Sequence, residues 1–180
     1  MDLATVLAAV ADEFAVDAAE VGEHARVLVR LLLAVALGAV LGYDRERRES
    51  AAGLRTHMLV ALGTALFALA PQAAVFGADP MSRVLQGIVA GIGFLGAGAI
   101  LKRTEHGEVR GLTTAAGIWA TAAIAVACAM GRVWLAIAST LACYVVLALL
   151  VRAEARMKEA RATANSAEAG PGASTEGSPS

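Results

Sequence analysis

The sequence predicts an all-α, polytopic membrane protein with about five transmembrane helices, the N-terminus outside and the C-terminus in the cytoplasm. Hydrophobic residues make up 58% of its 180 positions and charged residues 17%, and the mean hydropathy is +0.65. Four stretches lack charged side chains, and each approaches the ~20 helical residues that cross the hydrocarbon core. They are residues 56–78, 84–101, 111–131 and 133–151. This composition excludes a disordered chain, a disulfide scaffold and an ordinary soluble enzyme.

The predicted helices span residues 25–43, 57–76, 82–102, 112–130 and 132–152. In the first helix only residues 31–43 are free of charge. This helix reaches spanning length if it starts near Ala25 and if Arg26 and Arg30 extend their guanidinium groups to the interface. Residues 25–152 therefore form the predicted transmembrane domain.

Boundary residues support the later helices. Pro71 is expected to end or kink the second helix. Asp79-Pro80 predicts the start of the third, with Asp79 as N-cap and proline at the first helical position. Gly131-Arg132 is a tight joint, so the fourth and fifth helices are predicted to be antiparallel neighbours.

The distribution of Lys and Arg predicts the orientation. Eleven of these residues fall on one side of the predicted helices and four on the other, and the richer side is expected to face the cytoplasm. The richer side holds Arg45, Arg47, Arg48, Arg55, Lys102, Arg103, Arg110, Arg152, Arg156, Lys158 and Arg161. Residues 1–24 are predicted to be an acidic segment at the outer surface. Residues 153–180 are predicted to be a basic helix extension followed by a disordered tail, because this composition buries little apolar area.

The third helix is unusually rich in glycine, with Gly87, Gly91, Gly93, Gly96 and Gly98. Gly91, Gly93 and Gly96 match GxGxxG, but a dinucleotide site is rejected because no βαβ unit surrounds them. At ~100° per residue the glycines fall on two opposite faces. We interpret the helix as central, closely packed on both sides, and expect Gly91→Leu to disrupt that packing. The alternative is local unwinding that exposes carbonyl groups to an ion.

Hydroxyl groups of the fourth helix are also assigned to packing. Thr113 and Thr114 stand near its start. In such positions hydroxyl groups usually bond their own backbone or a neighbouring helix. Lining a permeation path is the alternative.

The charged segment after the first helix is the most informative for function. Continued as helix, it pairs Asp44 with Arg48 and Arg45 with Glu49 at a spacing of four residues. One reading is a solvated basic loop that sets topology. The other gives Asp44 and Glu46 a role as oxygen ligands for a hard cation, or as partners of arginines on an adjacent helix.

Arg55-Thr56-His57 opens the second helix on the same side of the membrane. Thr56 is a plausible N-cap. His57 is a group that titrates near neutral pH, and we interpret it as an interface anchor in preference to a ligand.

Four motifs in order resemble the MgtC/SapB family of bacterial inner-membrane proteins. They are Gly42-Tyr43-Asp44-Arg45-Glu46-Arg47, Ala52-Gly53-Leu54-Arg55-Thr56-His57-Met58-Leu59-Val60, the glycine run Gly91 to Ile100, and Gly111-Leu112-Thr113-Thr114-Ala115-Ala116. The resemblance covers about residues 26–150. Asp44 stands where the family more often has Glu, which keeps the carboxylate. With no folded domain expected after the last helix, the chain resembles the short, SapB-like branch.

The resemblance implies a multi-pass inner-membrane protein of adaptation to magnesium limitation and, in pathogens, of survival inside host cells. It carries over Asp44, Arg45, Glu46, Arg55 and Thr56, together with the glycine run and Thr113-Thr114. The expected function is modulation of another membrane complex. The alternative is a Mg²⁺ transporter or channel that uses carboxylates at the end of the first helix.

The expected partners and cofactors follow from the same reading. The chain is expected to be no enzyme, to bind no nucleic acid and to need no cofactor, with Mg²⁺ as the one candidate ligand or substrate. The partners are the lipid bilayer and either further copies of the chain or another membrane complex.

Overall fold

The computed structural model describes residues 5, 7, 18–73, 78–101 and 111–149, and all regular structure in these ranges is helical. This confirms the all-α membrane class. The helices are α1 (Ala18–Arg47), α2 (Leu54–Ala73), α3 (Ala78–Leu101), α4 (Leu112–Ala129) and α5 (Val133–Leu149). The loop 102–110, the extension 153–180 and most of the acidic segment 1–24 lie outside the described residues.

Three of the helices are long and apolar enough to cross a membrane: Val21–Arg47, Met81–Ile100 and Leu112–Ala129. Leu54–Ala70 and Val133–Leu149 are shorter apolar helices. All five predicted helices are present, but α1 is longer at both ends, and α2 and α3 begin before the predicted residues 57 and 82. The charged residues of α1 continue the helix instead of ending it, because an ion pair four residues apart supports its last turn.

The start of α3 also differs slightly from the prediction. The helix begins at Ala78, so Asp79 and Pro80 lie in its first turn and Asp79 is not the residue before it. Pro71 lies in the last described turn of α2.

The centre of residues 1–140 is α4, which contacts α1, α2 and α3. Its buried residues are mostly small: Thr114, Thr121, Ala122, Ala125, Ala127, Cys128 and Ala129. Small side chains let helix backbones approach closely, which is the main source of packing where lipid replaces water. The prediction that α3 is the central helix is therefore wrong among the described residues. A glycine pattern shows that a helix face is smooth, but it does not show which element covers that face.

Two glycines of α1 set its distance from α2. A methyl group at Gly38 would lie 2.8 Å from Cβ of Ala61 and 2.9 Å from the carbonyl oxygen of His57. A methyl group at Gly42 would lie 2.8 Å from Cα of Leu54. Because these neighbours are mostly backbone atoms, a side chain at either glycine would push the helices apart.

The joint between α4 and α5 is as tight as predicted. Gly131 adopts the left-handed conformation (φ +72°), and the amide of Arg132 donates to the carbonyl of Ala127 at 2.8 Å. This is a Schellman-type end, which glycine favours. The guanidinium of Arg30 donates to the carbonyl of Ala129 at 3.0 Å. It thus binds the negative end of α4 rather than reaching only for the interface.

A second unit begins at Leu141, and its described part is the remainder of α5. Most of its large apolar side chains are exposed, among them Leu141, Val146 and Leu149. That pattern is typical of a lipid-facing helix.

Candidate functional site at the charged end of the helices

The charged end is the group of residues from Asp44 to His57 together with the first turns of α4. Asp44 forms its electrostatic centre. Its carboxylate accepts two hydrogen bonds from the guanidinium of Arg48, at 2.8 and 2.9 Å, and one from Arg45 at 3.3 Å. The predicted Asp44–Arg48 pair is therefore made. Arg45 binds Asp44, and Glu49 has a left-handed backbone (φ +52°) after the end of α1.

Glu46 has a different task from Asp44. Its carboxylate accepts a hydrogen bond from the amide of Leu54, the first residue of α2, at 2.9 Å. A carboxylate at a helix N-terminus satisfies an otherwise unpaired amide and matches the positive end of the helix dipole. Thr56 is thus not the N-cap that the sequence suggested, because α2 begins two residues earlier.

Gly53 leaves the space that the contact between Glu46 and Leu54 needs. A Cβ atom there would overlap the carboxylate of Glu46. Only a residue without a side chain leaves room for the cap, which gives the glycine of the second motif a structural reason.

Arg45 and His57 are the two buried ionisable residues of the described chain with unmatched polar atoms. Arg45 is 6% exposed and His57 is 0% exposed. Nε of Arg45 and Nε2 of His57 have no hydrogen-bond partner among the described residues. His57 is therefore no interface anchor, since its ring lies wholly inside the protein.

The loop between α1 and α2 is tied to α4 by two hydroxyl groups. Oγ of Ser50 and Oγ1 of Thr114 are 2.9 Å apart, and Thr114 is buried whereas Thr113 is exposed. The sequence singled out both threonines but missed Ser50, because a contact across 64 positions leaves no local pattern.

The other predicted residues are placed less closely together. Arg55 is exposed and Thr56 is half-buried in the first turn of α2. On α3, a methyl group at Gly96 would meet Ala115 of α4 at 3.5 Å. A methyl group at Gly87, Gly91, Gly93 or Gly98 would meet no atom of the described residues within 4 Å.

The acidic residues of the charged end are dispersed. No three His, Cys, Asp or Glu side chains converge within the described ranges. Asp44 and Glu46 are each used by groups of the chain itself: Asp44 by two guanidinium groups and Glu46 by a backbone amide. A hard cation that bound either carboxylate would have to displace these partners.

Residues 31–156 match the profile described as the MgtC family. Protein SrpB of Synechococcus elongatus is 46% identical over 114 residues, covering 57% of this chain and 63% of SrpB. Protein MgtC of Salmonella typhimurium is 45% identical over 114 residues, covering 63% of this chain and 48% of that protein. The "Putative magnesium transporter YhiD" of Escherichia coli K12 is 43% identical over 108 residues, with 56% and 49% covered.

The match to these relatives thus extends over about half to under two thirds of their length. The family match over residues 31–156 includes all four motifs and the residues of the charged end. No solved structure matches the chain.

Proposed function

The chain belongs to the MgtC family, and we propose that it acts by binding and modulating another protein complex of the bacterial inner membrane. It is a magnesium-related, multi-pass inner-membrane protein. The name of the relative YhiD, "Putative magnesium transporter", gives the magnesium connection. We propose that this activity is not enzymatic.

One observation carries the modulator role: the glycine face of α3 is left uncovered by the described helices. Gly87, Gly91 and Gly98 share one face of α3 at ~100° per residue, opposite Gly96, which faces α4. Phe94 lies on the same face and is 80% exposed. Since glycines in a membrane helix let a second backbone approach, this face suits a protein helix better than lipid chains.

An apolar groove continues this face towards α2. It has a volume of about 660 Å³ and is lined by Val60, Gly63, Phe67, Gly87, Ile88 and Gly91 among others. Gly63 also has open space where a side chain would be. Glycines from two helices therefore border one groove, which widens the surface available to a partner.

Magnesium transport is the alternative, favoured by the name of YhiD. It would use Asp44 and Glu46 as oxygen ligands. The geometry supports it less well, because both carboxylates already bind groups of the chain. Mg²⁺ keeps several waters and needs few direct ligands. Even one direct bond to Asp44 would have to compete with the hydrogen bonds from Arg48.

Photo-crosslinking in native membranes tests the modulator role directly. We expect a photoreactive residue in place of Phe94 to give one discrete crosslinked product in magnesium-limited cells. Leu32 of α1, 60% exposed, is the matched control position, and it should give none. No product from Phe94, or the same product from both positions, would contradict the proposal.

Flux into liposomes tests the alternative. The purified chain is reconstituted with a trapped Mg²⁺ indicator and compared with Asp44→Asn. We expect neither protein to increase the flux. Flux from the native chain that is lost in Asp44→Asn would replace the modulator role by transport through the charged end.

A further inference from the structure

His57 lies where three helices meet. Gly38 and Gly42 of α1 lie against its backbone and its Cβ, and a methyl group at Gly117 of α4 would lie 3.4 Å from its Nε2. The ring is thus enclosed between α1 and α4 while it belongs to α2. Gly38 and Gly42 let the backbone and Cβ of His57 approach α1, and Gly117 is the glycine that faces the ring itself.

The hydrogen bond of the ring fixes its tautomer. Nδ1 lies 2.9 Å from the carbonyl oxygen of Gly53. A carbonyl oxygen only accepts, so Nδ1 carries the hydrogen. In the neutral ring Nε2 then carries no hydrogen and has a lone pair that can accept one. Nε2 is also the ring atom without a hydrogen-bond partner among the described residues.

Among the residues that the structure describes, the groups around the ring offer no anion to balance a second proton. From α1, Arg45 interacts electrostatically with His57, and Asp44 is already held by two guanidinium groups. The carboxylate of Glu46, also on α1, binds the amide of Leu54. On α2 itself Arg55 is exposed. No residue of Leu112–Ala129 is charged, and the one charge of Met81–Ile100 is Arg83, at the opposite end.

From this geometry we propose that Nε2 of His57 is a proton-acceptor site, and that proton binding loosens the packing of α1, α2 and α4 at the charged end. Protonation creates a buried N–H donor with no acceptor among the described residues and a positive charge beside Arg45, both of which are unfavourable in a closed interior. The junction, meaning the packing of α1, α2 and α4 around His57, is therefore stable while the ring is neutral. Its stability decreases as the pH falls. The inference does not depend on whether the protein modulates another complex or transports Mg²⁺.

Thiol labelling of the full-length purified protein tests this site. Thr114 is buried on α4 one turn before Gly117, and its neighbour Thr113 is exposed. In a background with Cys128→Ala and Cys143→Ala, the labelling rate of Thr114→Cys is divided by that of Thr113→Cys. The ratio cancels the intrinsic pH dependence of the thiol. Lowering the pH from about 7.5 to about 5.5, across the range where histidine titrates, should raise the ratio by roughly an order of magnitude, because labelling follows the open population.

Histidine variants locate the effect. His57→Asn retains a donor for the carbonyl of Gly53 and removes Nε2, so it should abolish the pH dependence of the ratio. His24→Asn and His106→Asn are matched controls and should retain it. A ratio independent of pH in the native background would overturn the proposal, and this outcome does not require that His57→Asn folds. Equal pH dependence in His57→Asn would overturn it as well.

Discussion

At the scale of single residues, two carboxylates that are two positions apart in sequence bind different elements. Asp44 accepts hydrogen bonds from arginines at the end of its own helix, whereas Glu46 accepts one from the first amide of α2. Residues two apart on a helix do not face each other, which accounts for the division. Glu46 therefore fixes where α2 begins, and Asp44 compensates the buried charge of Arg45.

The cap made by Glu46 predicts that alanine has different effects at Gly53 and at Gly63. Gly53→Ala should displace Glu46 from the amide of Leu54 and cost about 1 kcal/mol, the usual value of a lost N-cap. Gly63→Ala, within α2, meets no neighbouring atom and should be neutral or slightly stabilising. Thermal unfolding of both variants in detergent measures the difference. Equal midpoints would contradict the cap.

The sequence predicted the members of the charged end better than their roles. Asp44, Arg45 and Glu46 stood out because charge at a membrane boundary is conspicuous. Their partners did not, since Ser50 with Thr114 and Glu46 with Leu54 are contacts made by folding. The burial of His57 was missed for the same reason, because its enclosure depends on glycines of two other helices.

At the scale of elements, helix positions were predictable and helix packing was not. Stretches without charge locate helices because the hydrocarbon core excludes charge over a fixed thickness. A glycine pattern, in contrast, marks a smooth face without naming its neighbour. In α1 such glycines contact α2, whereas in α3 only Gly96 has a neighbour among the described residues.

Leucine substitutions on the two helices should separate these two uses of glycine. Gly38→Leu should destabilise the fold by about 1–3 kcal/mol or more, as overpacking does, because the new side chain meets the backbone of α2. Gly91→Leu should leave the isolated chain folded, in place of the disruption expected from sequence, and should abolish the crosslink from Phe94. Size-exclusion profiles of the tagged proteins report folding. A normal profile for Gly38→Leu, or loss of folded Gly91→Leu, would contradict the assignment.

At the scale of the whole molecule, the contacts among residues 1–140 define two ends. The end of α1, the start of α2 and the start of α4 meet at the charged end, where Gly111 also lies against Ala99 of α3. Arg30 and the turn at Gly131 lie together at the other end. The segments that the sequence assigned to the same side of the membrane therefore lie at the same end of the structure. Which end faces the cytoplasm is still a prediction from the basic residues.

Impermeant thiol labelling can assign the two ends to the two sides of the membrane. Ala51 is exposed at the charged end and Met130 is exposed at the other. With the native cysteines replaced by alanine, Ala51→Cys should react only in inside-out vesicles and Met130→Cys only in spheroplasts, because the positive-inside rule holds the arginine-rich end in the cytoplasm. The reverse pattern would show that the charged end, with Asp44 and His57, faces outward. Labelling of Met130→Cys from both sides would show two orientations and would likewise contradict the prediction. The expected pattern would place the junction around His57 on the cytoplasmic side of the membrane. A fall in cytoplasmic pH would then be the change that protonates His57 and loosens the junction.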